Sequence, residues 1–412
     1  MGVYQSKTEP VVHAAEASTE KTAVKSNRIY EFDNLKSVSI FSVVLSHVSL
    51  NYMTVGERFY FATNPEYTSF HADLLVSVFV LFVMPLLWIT TGFLIQMQID
   101  RRGVATMSRT RLRSFGLPLL ILGPPVLVAM YLTQLMAHSM ADAPDDFLTV
   151  FRQTLVAHLS NPVSRIPYIS VRHLWYLYYG VFYVGILYII YESKLFRAVL
   201  KSKTTNLLMA VVVFGFFIYL WRDELTINGD TNILPNPIIV FYFFMFVVLG
   251  MHFAKTRSLS LLEHRIPLLL VIFLISSAIM YYVSLTHFFE GDEAVLDQTS
   301  IPYVIVGAMY AVATLSAPLL VASLGLRYFN HSYALIQRAN ESSFWVYIIH
   351  YPIVKLVFCL MFFVDLPVML KIVISFLFIS AASVLSYYWF VKGTFVERLL
   401  NGEPLWPSRV AT

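Results

Sequence analysis

The chain has 412 residues, of which 58% are hydrophobic, 16% aromatic and only 13% charged. Soluble globular proteins carry about a quarter charged residues, so this composition excludes an ordinary soluble protein. The net charge of +4 is small and gives no reason to expect a nucleic-acid partner, and the single cysteine, Cys359, leaves neither a disulfide nor a cysteine-based metal site, so we expect no metal.

Ten apolar segments follow one another along the chain, and polar stretches separate them. Crossing a bilayer takes about 20 predominantly apolar residues in a helix, and these runs approach or reach that length. The segments cover 35–53, 72–97, 114–136, 174–192, 205–221, 236–253, 266–285, 301–323, 343–362 and 367–391. The sequence therefore predicts an all-α polytopic membrane protein with about ten transmembrane helices and membrane lipid around it.

The distribution of Lys and Arg predicts which side each stretch faces, since these residues accumulate in cytoplasmic loops. With the N-terminus inside, the inner stretches hold 21 of them and the outer loops hold 5. Both termini are therefore expected in the cytoplasm. Residues 1–27 are polar and predict a disordered cytoplasmic tail, 28–392 form the membrane domain, and 393–412 form a short cytoplasmic tail.

The first segment, "EFDNLKSVSIFSVVLSH", carries three ionisable residues, Asp33, Lys36 and His47. Such residues are costly within a bilayer and suggest function by default. At about 100° per residue the three share one helix face, and Lys36 lies about 16 Å from His47 along the axis. The alternative is structural: Lys36 extends to lipid phosphates with Asp33 as its partner, and His47 bonds to another helix.

A basic loop is predicted between the second and third segments, with Arg109, Arg111 and Arg113 just before the third helix begins. The planar guanidinium fork of arginine suits phosphate oxygens. The alternative is that these residues only mark the cytoplasmic side.

Two later motifs place more histidines and aromatic residues near the membrane. "VRHLWYLYYG" carries Arg172, His173 and Trp175 at the predicted outer face, and "NESSFWVYIIHYPIV" carries Tyr347 and His350. The first could bind a sugar ring or simply anchor the helix at the interface. The second could serve catalysis or be a packed, hydrogen-bonded histidine.

These four units, in this order, resemble the acyltransferase-3 family of membrane acyltransferases, which includes O-antigen and Nod-factor acetylases and a protein that succinylates periplasmic glucans. The resemblance covers residues 28–392. Lys36 stands where the family has Arg, which keeps the charge and loses the bidentate fork. "TTGFLI" is similar to a small-Gly-Phe turn at the end of the second helix, and Arg111 and Arg113 precede Pro118 as in the family's Arg-x-Arg element.

The resemblance implies transfer of an acyl group from cytoplasmic acyl-CoA. The group is usually acetyl and can be succinyl. The acceptor is a hydroxyl of a carbohydrate or glycolipid at the outer face of a bacterial plasma membrane. It implies a general base at His47, with Lys36 and Asp33 on the donor path. The arginines 109, 111 and 113 would bind the CoA phosphates. The acceptor would meet Arg172, His173, Trp175, Tyr347 and His350. The alternatives are a secondary transporter and a non-catalytic member of the family.

Overall fold

The computed structural model describes residues 30–54, 68–142, 147–160, 170–202, 231–284, 300–328 and 334–404, with the single positions 204, 212 and 215. The predicted tail 1–27 and nearly all of the predicted segment 205–221 lie outside the described residues.

The described residues are almost entirely helical. The α-helices are, in chain order, α1 Tyr30–Ser49, α2 Phe70–Ile121, α3 Gly123–Asp142, α4 Phe147–Ser160, α5 Trp175–Ile190, α6 Lys194–Lys201, α7 Pro237–Thr256, α8 Ile266–Ser284, α9 Ile301–Tyr328, α10 Ala334–Met361, α11 Val368–Ser386 and α12 Phe395–Asn401. Within these ranges no strand forms, and one isolated bridge joins Ser170 to Asn232. A helix satisfies its own backbone hydrogen bonds, which is why helices can cross lipid.

Seven helical stretches within the described residues are long and apolar enough to span a membrane. They are Phe70–Ile121, Arg172–Ile190, Pro237–Thr256, Leu262–Val283, Ile301–Tyr328, Ala334–Met361 and Val368–Val391. The protein is therefore an all-α, multi-pass membrane protein, as the sequence predicts. The number ten and the cytoplasmic side of both termini stay predictions.

Helix α2 corrects the predicted boundary between the second and third segments. It runs for 52 residues through the stretch expected to be a loop, and its backbone leaves helical geometry at Gly103 (φ 78°, ψ 162°). Only glycine adopts that conformation without strain. The stretch that follows Gly103 contains three arginines and several leucines, which favour helix, and the arginines lie on a helix rather than in a loop.

Helices α2 and α7 touch backbone to backbone. A Cβ atom on Gly92 of α2 would lie 2.0 Å from the carbonyl oxygen of Val247, and one on Gly250 of α7 would lie 2.0 Å from that of Ile89. Gly92 is the glycine of "TTGFLI", so the predicted turn is wrong: this glycine sits inside α2 and permits close packing.

Helices α1 and α10 are joined by polar side chains at both ends. Near the start of α1, the Asn340 amide donates to Asn34 Oδ1 at 2.7 Å, and the Ser37 hydroxyl donates to Asn340 Oδ1. Just past its end, Lys355 Nζ donates to Asn51 Oδ1 at 2.6 Å. The partners are 306 residues apart in the first pair and 304 in the last. A nearly constant separation means that the two helices run parallel and in register.

Candidate active site

The centre of the site is a pair of histidines, one from α1 and one from α10. His47 Nδ1 lies 2.8 Å from His350 Nε2, and the rings stack at 5.0 Å with an interplanar angle of 7°. His350 is fully buried, and its Nδ1 lies 2.8 Å from the Tyr347 carbonyl oxygen and 3.1 Å from that of Val346. Carbonyl oxygens only accept hydrogen bonds, so His350 Nδ1 carries the hydrogen.

This arrangement fixes the direction of the hydrogen bond between the rings. A neutral His350 with hydrogen on Nδ1 has a lone pair on Nε2, so the Nδ1–H of His47 donates to it. His47 then holds its own lone pair on Nε2. No described residue hydrogen-bonds to that nitrogen. The pair can therefore take up a proton at His47 Nε2, while His350 holds the ring in one tautomer and one orientation.

A third histidine is attached to α10 through a carbonyl group that a proline leaves unpaired. In a regular helix the amide of residue 352 would donate to the carbonyl of Ile348, but Pro352 has no N–H. His173 Nε2 donates to that oxygen at 3.0 Å. His173 Nδ1 is consequently an acceptor. It is buried and bonds to no described residue.

Two tyrosines of α10 flank the histidines in different ways. The Tyr347 hydroxyl donates to the backbone oxygen of His173, so it holds the chain that carries the third histidine. The Tyr351 ring stands edge-on to His47, with centroids 4.9 Å apart, and stacks on His173 at 5.1 Å and 13°. Sequence reasoning missed Tyr351, although it directly follows His350 in "IIHYP".

Asn51 and Lys355 form the layer next to the histidine pair. The Asn51 amide donates to the His47 carbonyl oxygen at 3.0 Å, which ties down the last turn of α1. The fully buried Lys355 donates to Asn51, and its Nζ lies 5.6 Å from the centroid of the Tyr351 ring. Sequence reasoning also missed Asn51, because an asparagine late in an apolar run ordinarily indicates the end of a helix.

The three predicted donor-binding arginines lie on two different faces of α2. On a helix, positions two apart point in nearly opposite directions, whereas positions four apart share a face. Arg109 and Arg113 accordingly share an exposed face of α2. Arg111 points inward: its Nε donates to Gln98 Oε1 at 3.0 Å, and its guanidinium interacts electrostatically with Tyr176.

A row of tyrosines leads from Arg111 to the histidine pair. The Tyr176 hydroxyl shares a 2.6 Å hydrogen bond with the Thr91 hydroxyl of "TTGFLI". The Tyr176 ring meets the Tyr347 ring with centroids 5.6 Å apart, and the Tyr347 ring lies 6.1 Å from His350. Side chains of α2, α5 and α10 therefore connect the inward-facing arginine to the histidines through the helix bundle.

The histidines His47, His173 and His350, with the two tyrosines that flank them, form the histidine cluster. The structure does not bring the other two ionisable residues of α1 into this cluster. Asp33 and Lys36 are partly buried in the first turns of α1, and both interact with other residues. Eleven helical positions separate Lys36 from His47, or about 16 Å. Their place near the start of α1 is the one predicted, and their predicted part in the donor path stays a prediction.

The two remaining predicted residues precede or begin α5. Trp175 packs between Trp88 and Phe243, with centroids 6.4 and 5.1 Å away, so it belongs to the aromatic interior rather than to the histidine cluster. Arg172 is exposed next to His173, and its backbone has a left-handed φ of 47°. Its guanidinium interacts electrostatically with Tyr351.

A family model described as an acyltransferase domain matches residues 29–391, which is nearly the whole chain and includes every residue of the cluster. No curated protein and no solved structure matches the chain. Among the described residues no group of His, Cys, Asp and Glu is arranged to hold a metal ion.

Proposed function

The chain belongs to the acyltransferase-3 family of membrane acyltransferases, and on that premise we propose which acyl transfer it performs. The donor is acyl-CoA in the cytoplasm, with acetyl or succinyl as the acyl group. The acceptor is a hydroxyl of a carbohydrate or glycolipid at the outer face of a bacterial plasma membrane. The match to an acyltransferase family supports an enzyme over the transporter alternative.

The observation that carries the proposal is the directed hydrogen bond from His47 to His350. A general base needs a lone pair that faces the substrate and a ring that keeps its orientation as the proton arrives. The carbonyl oxygens of α10 fix the hydrogen on His350 Nδ1, and His350 in turn fixes the hydrogen on His47 Nδ1. When His47 takes a proton on Nε2, its Nδ1–H still donates to His350, and the positive charge is shared with an acceptor already in place.

The proposed reaction begins with the acceptor hydroxyl against His47 Nε2. The oxygen attacks the thioester carbonyl carbon as Nε2 takes the hydroxyl proton, and a tetrahedral intermediate with a negative oxygen forms. The carbon–sulfur bond then breaks, and the CoA sulfur leaves with the proton held on His47. The products are an O-acyl ester and free CoA thiol. Proton transfer by a positioned base contributes typically about 10² to 10⁴-fold to the rate.

Arg111 is the proposed first contact for the donor inside the bundle. Its inward guanidinium is suited to the phosphates or amides of CoA. The row Arg111, Tyr176 and Tyr347 offers a polar and aromatic wall along which an extended pantetheine arm reaches the histidines. This wall belongs to α2, α5 and α10, and it offers a second donor path beside the predicted one along α1. The exposed pair Arg109 and Arg113 remains suited to the outer phosphates of the same donor.

Acceptor binding is proposed at His173, where a buried nitrogen lone pair lacks a described partner. Such a buried acceptor costs about 1–3 kcal/mol while it stays unsatisfied. A sugar hydroxyl that donates to His173 Nδ1 would satisfy it and would place a neighbouring hydroxyl next to His47. Arg172 at the exposed edge of the cluster would then meet the part of the acceptor that remains outside.

The test measures whether acyl-CoA stabilises the purified full chain in nanodiscs. Acetyl-CoA, succinyl-CoA and free CoA are compared by thermal unfolding. A ligand at about 100 times its dissociation constant adds about 2.7 kcal/mol of stability. Arg111→Lys, which keeps the charge and loses the fork, should remove most of that stabilisation. Arg197→Ala serves as control, because Arg197 is exposed and pairs with Glu192 on the surface.

Two outcomes oppose the proposal. A folded wild-type protein that none of the three compounds stabilises would contradict an acyl-CoA donor and would favour a non-catalytic family member. Equal stabilisation of wild type and Arg111→Lys would contradict the assigned donor path while it leaves the donor itself in place.

A further inference from the structure

The intermediate of acyl transfer carries a negative oxygen, and an enzyme stabilises it with hydrogen-bond donors that are already in position. Most donors around the histidines are in use. The Tyr347 hydroxyl donates to the His173 carbonyl oxygen, and the Tyr176 hydroxyl bonds to Thr91. The side-chain amide of Asn51 donates to the His47 carbonyl oxygen. None of these three is available without the loss of an existing bond.

His173 cannot serve as the donor either. Its Nε2–H is committed to Ile348, and its Nδ1 is a bare acceptor that a negative oxygen would repel. The hydroxyl of Tyr351 is different. No described residue hydrogen-bonds to it, although its ring is held against His47 and His173 with centroids 4.9 and 5.1 Å away. The phenol is therefore fixed beside the base and keeps a hydrogen to donate.

Two cations lie beside the same ring. Lys355 Nζ is 5.6 Å from the Tyr351 centroid, and Arg172, which is exposed and directly precedes His173, interacts electrostatically with Tyr351. Arg172 adopts a left-handed φ of 47°, which a non-glycine residue rarely does and which strains the backbone. The Ser170 hydroxyl accepts the Arg172 backbone N–H at 3.2 Å and holds this conformation. Arg172 is therefore held in a strained backbone conformation directly before His173.

We propose that Tyr351 is the oxyanion donor of this enzyme and that Arg172 supports it. The Tyr351 O–H donates to the thioester carbonyl oxygen, and that hydrogen bond strengthens as the oxygen becomes negative. The positive charge of Arg172 offsets the negative charge of the intermediate. Tyr351 keeps its proton throughout, so the proton transfer at His47 is unaltered. The inference rests on the proposed acyl transfer.

The experiment compares Tyr351→Phe and Arg172→Gln with wild type in nanodiscs. CoA thiol release from acetyl-CoA is followed with octyl glucoside as the hydroxyl acceptor. Loss of one oxyanion donor lowers kcat by about 10² to 10³-fold in enzymes where it has been removed. We expect a kcat loss of that order for Tyr351→Phe with unchanged stabilisation by acetyl-CoA. Arg172→Gln should lower kcat less and should add little to the loss already present in Tyr351→Phe, since both act on one hydrogen bond.

The matched control is Tyr183→Phe, which also removes a buried tyrosine hydroxyl. Tyr183 donates to the Val240 carbonyl oxygen between α5 and α7, away from the histidines, so its kcat should equal that of wild type. Wild-type kcat in Tyr351→Phe overturns the inference, as does a change confined to the KM for the acceptor. If Tyr351→Phe does not fold, wild-type kcat in the exposed Arg172→Gln overturns it.

His47→Ala separates this inference from the proposed function. If His47→Ala is inactive and Tyr351→Phe is fully active, only the role of Tyr351 as oxyanion donor is contradicted. Full activity in both variants, or no thiol release from wild type, contradicts both the proposed acyl transfer and the role of Tyr351.

Discussion

Two interfaces inside the same bundle are built in opposite ways. Between α2 and α7, Gly92 and Gly250 let the two backbones touch, and no side chain stands between them at those points. Between α1 and α10, paired side chains fill the space with buried polar groups, from Asn340 through His350 to Lys355. One interface holds the helices together by close packing. The other holds reactive groups between helices.

The difference shows what each interface can tolerate. Lipid is as apolar as the helix surface, so association in a membrane depends on van der Waals contact and interhelical hydrogen bonds. Close packing at a glycine fails with any added atom. A polar interface can lose one bond and still keep its helices together, but it loses the chemistry of the group removed. Stability should therefore respond most to changes at α2–α7, and activity most to changes at α1–α10.

The largest effect is expected for His47→Ala, which removes the proposed base. Activity should fall by about 10² to 10⁴-fold, because proton transfer then depends on water. His47→Gln should fall by a similar factor, although its side-chain amide can still donate to His350. CoA thiol release measures the loss, while thermal unfolding and acetyl-CoA binding verify the fold. An active His47→Gln would show that orientation, not basicity, is what His47 supplies.

Gly250→Ala should act on stability instead. The added methyl group would lie 2.0 Å from the Ile89 carbonyl oxygen, so α2 and α7 have to move apart. Overpacking of this kind costs typically about 1–3 kcal/mol, and the midpoint of thermal unfolding should fall. The control is Gly185→Ala in α5, whose new methyl group meets no atom within 4 Å. Alanine favours helix over glycine, so that variant should be as stable as wild type or more so. An equal loss in both would mean that close contact is not the cause.

The smallest effect is expected for Asn340→Ala at the far end of the polar interface. Interhelical hydrogen bonds in membranes average about 0.6 kcal/mol, with a maximum near 1.7. Thermal unfolding of Asn340→Ala, Asn34→Ala and the double variant gives the coupling between the two side chains. The coupling should fall in that range, with kcat changed by less than about tenfold. A kcat loss as large as that of His47→Ala would mean that this end of the interface also takes part in the reaction.

Sequence reasoning found the elements whose signal is local. The apolar runs mark the spans, and an ionisable residue within a run marks His47 and His350. The motif around His173 was also identified, although its link to α10 depends on Pro352 and on a carbonyl oxygen four residues earlier. The link follows from helix geometry once the segment around His173 is known to lie next to α10. A single sequence does not show which segments are adjacent in the fold.

The errors come from the same source. The arginines were expected in a loop, whereas the part of α2 that follows the break at Gly103 carries them and turns Arg111 away from Arg109 and Arg113. "TTGFLI" was interpreted as a turn, but the reason for Gly92 is the backbone of α7, 155 positions further on. Tyr351 carries no charge and looks like one more aromatic residue until its neighbours in space are known.

The parallel register of α1 and α10 has a consequence for how the reactants meet. Their polar pairs have separations of 306, 303 and 304 residues, so sliding one helix past the other by a single turn would break all of them at once. The two histidines are therefore fixed relative to each other along the helix axes. If the donor and the acceptor start on opposite sides of the bilayer, as proposed, each must reach this fixed pair of histidines.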